Sequence, residues 1–150
     1  MPDTTNLASV LTRISSDASD LHHALCVHPA SHGASTLAAR ITDAQQLADT
    51  ALRLFLTLSP QASRPSRTDL LLLHQVAQIA KAAQDAAAEL TAALARGLEN
   101  ERRQAGATSG RVVLIGPTPQ QFIESAADLL GHIPSLCQAI SRDRPESSCH

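Results

Sequence analysis

The sequence predicts an all-α protein: a four-helix up-down-up-down bundle with a long third helix. Three observations carry this. Of 150 residues, 26 are Ala and 21 are Leu, the strongest helix formers. The chain has two Phe and no Tyr or Trp, so residues that favour strands are scarce. Finally, apolar residues recur at alternating spacings of four and three, in stretches separated by Pro- and Gly-bearing breaks. A length of 150 residues suits one ordinary domain, expected over residues 1–142, with a polar, disordered tail over 143–150.

The first helix is expected over 5–27. Leu7, Leu11, Ile14, Ala18, Leu21 and Leu25 form one continuous apolar seam. Asp3, Thr4 or Thr5 can cap its start, and Pro29 and Gly33 end it, because the residue before proline avoids helical backbone. The second is expected over 35–58, with Ser35 or Thr36 as cap and Pro60 beyond its end. Its seam is Leu37, Ile41, Ala44, Ala48, Ala51, Phe55 and Leu58. Leu47, Leu52, Leu54 and Leu56 widen the stripe beyond one face.

The third helix is expected over 67–104. Ser66 and Asp69 have capping-box spacing. Leu72, Val76, Ile79, Ala83, Ala86, Leu90, Ala93 and Gly97 make its core row. A second row runs beside it: Leu73, Ala77, Ala80, Gln84, Ala87, Thr91, Leu94 and Leu98. A helix of this length spans nearly 60 Å, against about 35 Å for the first two, so its polar end should overhang them. A Gly/Ser/Thr loop follows. After it comes the one strand-like run, Val112, Val113, Leu114 and Ile115, expected as a short extended segment. Such a run needs hydrogen-bonding partners, either by folding back or by pairing with a second chain.

The fourth helix is expected over 119–142. Thr118 and Gln121 form a capping box around Pro119 at the first helical position. Phe122, Ala126, Leu129, Ile133, Leu136 and Ile140 make its seam. Pro134 removes a donor and crowds the Leu130 carbonyl, which predicts a kink or two short helices.

The formal net charge is −2, so a general nucleic-acid binder with a basic surface is not expected. Arg96, Arg102, Arg103 and Arg111 cluster, but Glu99 and Glu101 interleave with them, and no Tyr or Trp offers a stacking platform. No apolar run reaches the roughly 18 residues of a membrane span, and no basic leader with an apolar core opens the chain. Three cysteines without a CxxC pair fit a reducing cytoplasm.

Chemistry-bearing motifs are few. There is no GxxxxGK[ST] phosphate loop and no GxSxG elbow. The Glu-x-x-His pairs of di-iron bundles are missing too, and Asp20/His23 and Asp128/His132 fall off the core seams. Cys137, beside Leu136, reads as a small packing residue. His22, Cys26, His28 and His32 are the candidate metal ligands, since imidazole and thiolate suit zinc. Their spacing matches no standard finger and Pro29 divides them, so neither a resident metal nor any other cofactor is expected.

The expected function is therefore non-enzymatic: a cytoplasmic interaction module that self-associates or binds another protein. Its contact residues are expected to be Leu90, Leu94 and Leu98 on the third helix, with Val112, Val113, Leu114 and Ile115. A small-ligand or metal-binding bundle is the alternative.

Overall fold

A computed structural model describes residues 4–27, 33–59, 64, 66–106 and 116–143. They form four helices: α1 (Thr4–Val27), α2 (Ala34–Leu58), α3 (Arg67–Gly106) and α4 (Pro119–Asp143). No strand occurs among the described residues. The expected segment 112–115 lies outside them, as do residues 144–150 of the expected tail over 143–150; Asp143, expected in that tail, is instead the last residue of α4. The helices form a ring in which α1 packs on α2 and α4, and α3 packs on the same two.

Local chemistry sets the helix starts. Ser66 Oγ accepts from the Asp69 amide at 3.1 Å, and Asp69 Oδ2 accepts from the Ser66 amide at 3.0 Å. Thr118 and Gln121 make the same reciprocal pair, at 3.2 and 2.8 Å. Each box satisfies two amides that a helix start leaves open. At α2 the outcome differs from expectation. Gly33 is the N-cap, with no side-chain cap bond, and Ser35 and Thr36 already lie inside the helix. Several helical threonines, among them Thr50 and Thr91, donate to the carbonyl four residues back, which satisfies their hydroxyls inside a helix.

One apolar cluster fills the ring. The whole expected seam of α1 is buried, from Leu7 to Leu25. On α3 the core row runs from Leu72 to Ala93, and most of its middle is alanine: Ala80, Ala83, Ala86 and Ala87. Side chains this small allow close helix approach. On α4 the buried row is Ile123, Ala126, Ala127, Leu130, Ile133, Cys137 and Ile140. The expected Phe122, Leu129 and Leu136 are only half-buried at its edge. The same correction applies on α2, where Leu47 and Leu54 are buried while Ile41 and Phe55 flank the core.

Gln75 is the one buried polar residue among those described. Its Nε2 donates to Asp143 Oδ2 at 2.8 Å, tying the start of α3 to the end of α4. At the other end, Gly97 of α3 lies against Pro119 of α4. These two helices therefore run in opposite directions. α4 is one helix across Pro134, not two. The buried row continues on both sides of the proline, through Leu130 and Ile133 to Cys137, so both halves pack on the same core.

Candidate interaction surface

The second row of α3 occupies the flank that α2 partly covers. Ala80 and Ala87 are buried, Ala87 beside Ala48 and Leu52 of α2, while Leu73 and Leu94 are half-buried. Its outer edge stays open. Leu70, Ala77, Gln84, Thr91 and Leu98 are all exposed and spaced by seven residues, so they line up along one side of the helix. The row carries no charge and covers 29 residues, about 42 Å of helix.

Across from this row, α2 contributes Gln45, Ala48, Asp49 and Leu52. With Gln84, Ala87, Ala88 and Thr91 they line an open groove of about 600 Å³. Leu56 continues the α2 rim one turn further and is 65% exposed, the most of any large apolar side chain described. Leu52, Leu70 and Leu98 are 41, 54 and 49% exposed. The charges at the rim are already paired within their own helices: Arg53 Nε lies 3.0 Å from Asp49 Oδ2, and Lys81 bonds Asp85. Neither sign of charge dominates the face.

Of the expected contact residues, Leu98 is exposed, Leu94 is half-buried, and Leu90 is wholly buried. Leu90 therefore belongs to the core and not to an open surface. The uncovered part of α3 begins later along the helix than its length alone predicts. Gly33 and Ala34 of α2, with Pro119 of α4, reach the level of Ala93 to Leu98, so the core extends up to there. Val112 to Ile115 lie outside the described residues. The exposed Leu52, Leu56 and Leu70 complete the face. Their signal was present as the widened α2 stripe and the Leu70 to Leu73 run, but periodicity alone does not say which stripe is covered.

Of the arginine cluster, Arg102 and Arg103 share one carboxylate at the α3 end, while Arg111 lies outside the described residues. Arg102 and Arg103 both donate to Glu99, at 2.7 to 3.0 Å. These bonds, Arg102's first, hold the Glu99 carboxyl down at about 2, and Glu99 in turn raises Arg102. The Arg96 guanidinium lies over Gly116, whose φ is 98°; a side chain there would meet Arg96 Nη2 at 3.0 Å. The positive φ is what favours glycine there, since the Arg96 guanidinium is the end of a flexible side chain that can move aside.

The structure separates the histidine and cysteine candidates. His28 and His32 lie outside the described residues. His22 is half-buried at the α1–α4 contact, where its Nδ1 donates to the Ala127 carbonyl at 2.7 Å. Its Nε2 faces Cys26 Sγ at 3.8 Å. Asp20, His23, Asp128 and His132 are all exposed. No group of three or more His, Cys, Asp or Glu is placed to hold a metal among the described residues. Cys137 is buried, and desolvation pushes its thiol up to about 11. None of the described helices is long and apolar enough to cross a membrane. No family model matches this chain, and no curated protein or solved structure shows significant similarity to it.

Proposed function

We propose that the chain is a non-enzymatic, cytoplasmic interaction module that self-associates through the outer face of α2 and α3. The supporting observation is the uncharged heptad row Leu70, Ala77, Gln84, Thr91 and Leu98, with Leu52 and Leu56 across the groove. Seven-residue spacing on a straight flank is what a further helix packs against. The rim carries both signs of charge, so a second copy meets no like-charge barrier. A two-fold contact would place the same leucines on each side. Burying a leucine fully is worth roughly 1.5–3 kcal/mol, so the partly exposed leucines of both copies supply the apolar part of the contact against the cost of association.

The reading keeps Leu94 and Leu98 as contact residues and releases Leu90 to the core. Segment 112–115 remains a second contact element in the proposal. Light scattering across micromolar concentrations tests it. A dimeric mass that becomes monomeric in Leu56→Asp and in Leu98→Asp supports the α2–α3 face. Val113→Asp reports separately on the 112–115 segment. A monomeric native chain at high micromolar concentration overturns self-association.

A further inference from the structure

We propose that His22 and Cys26 form a two-donor site for a zinc-like divalent ion on the end of α1. The pair lies apart from the α2–α3 face, and the proposal does not rest on self-association.

Helical geometry makes the pairing. Residues four apart lie one above the other, and here Cys26 Sγ and His22 Nε2 are 3.8 Å apart. Zinc binds sulfur at about 2.3 Å and imidazole nitrogen at about 2.0–2.1 Å, so tetrahedral ligands of these kinds stand about 3.6 Å from each other. A small adjustment of the exposed Cys26 side chain seats an ion between the two donors.

The second observation lies across the bundle, on α4. Because Nδ1 donates to the Ala127 carbonyl, the ring proton sits on Nδ1 and the Nε2 lone pair is left for Cys26 or an ion. A metal-ligating histidine almost always spends its other nitrogen this way, on a carbonyl or carboxylate. Gly131 leaves room for the ring: a Cβ there would lie 3.2 Å from His22 Cε1. Two helices and a glycine thus orient the imidazole before any ion arrives.

On binding, the Cys26 S–H bond breaks, its proton passes to solvent, and a metal–sulfur bond forms. Nε2 donates its lone pair, and the hydrated ion sheds water as it passes to four-coordination. Two donors from the chain leave two positions to water. Such a site takes zinc when it is offered but does not retain it through purification, consistent with the sequence expectation that no resident metal is present. Borderline ions that accept sulfur and imidazole are preferred over calcium or magnesium.

Cobalt(II) titration of the intact chain tests the site, because thiolate ligation gives a sulfur-to-cobalt charge-transfer band. The expected result is a band that saturates at one ion per chain and is displaced by zinc. It disappears in Cys26→Ser, and apparent affinity falls about tenfold or more in His22→Gln. Loss of band in Cys26→Ser with unchanged affinity in His22→Gln would reduce the site to a lone thiol and overturn the pairing. A band that survives Cys26→Ser, or no band at all, overturns the site. Should His22→Gln fail to fold by circular dichroism, imidazole ¹⁵N shifts of the native chain decide. Zinc must then move one Nε2 resonance, and no movement counts against the site.

Discussion

Replacing Gly131 by alanine isolates the contact between α1 and α4. Inside a helix, glycine is about 0.8–1.0 kcal/mol less favourable than alanine, so the substitution should stabilise α4 by that amount if nothing opposes it. Here something does. The new methyl would sit 3.2 Å from His22 Cε1 and 3.3 Å from Nδ1, closer than ordinary van der Waals contact. The ring cannot simply retreat, since its Nδ1 is held to Ala127 at 2.7 Å. Giving up that bond costs about 0.5–1.5 kcal/mol, enough to cancel or reverse the gain in propensity. With His22 changed to alanine, the obstruction is gone and the full gain of about 1 kcal/mol should return. Urea melts of the four variants close a double-mutant cycle, followed by far-ultraviolet circular dichroism because the chain has no Trp or Tyr. The expected coupling is about 1 kcal/mol, with Gly131→Ala stabilising only when His22 is absent. An equal gain in both backgrounds, within about 0.5 kcal/mol, would show that His22 does not occupy the space above Gly131.

Three further outcomes are expected. Ile79 is completely buried, so Ile79→Ala should cost roughly 2–5 kcal/mol in the same melts, and a loss under about 0.5 kcal/mol would place it outside the core. Pro134→Ala returns an amide donor to α4 and should raise the melting temperature, since proline is about 3 kcal/mol worse than alanine inside a helix; an unchanged or lower value would mean that the ring's packing outweighs the missing bond. Burial raises the Cys137 thiol from 9.0 to about 11, so the unfolded chain loses this proton first. Its contribution to stability is then full below pH 9 and declines as pH rises through 11. Cys137→Ala should flatten that decline in melts at successive pH values, whereas identical slopes would argue against a buried thiol.

The seam of α1 was legible because it offers one dominant stripe, and that of α3 because the row from Leu72 to Leu90 is wholly apolar while the row beside it is interrupted by Gln84 and Thr91. The two capping boxes fix where α3 and α4 start. On α4 two stripes compete. Phe122, Leu129 and Leu136 satisfy the same spacing as Ile123, Leu130 and Cys137, and both sets share Ala126, Ile133 and Ile140. The choice between them is a rotation of about 60° about the helix axis, settled by where α1 and α3 stand. That information is not local. Leu90 was misplaced for a related reason: helix lengths show that α3 is too long, but only the level of Gly33 and Pro119 shows where cover ends. The His22–Cys26 spacing was visible, while the carbonyl that orients the imidazole is 105 residues away.

The alanine seam of α3 reverses the usual vulnerability of a protein interior. In a core of leucine and phenylalanine the damaging changes are truncations, which open cavities. Ala83, Ala86 and Ala93 have no accessible surface and almost nothing to truncate. What they lack is room: a larger side chain must displace the closely packed groups of the core cluster around it. Variation at these positions should therefore be limited from above in volume, and glycine or serine should be admitted where valine and leucine are refused. A library randomised at Ala83 and Ala86 and selected for folding would be depleted of every large apolar residue, although the site is as apolar as any in the chain.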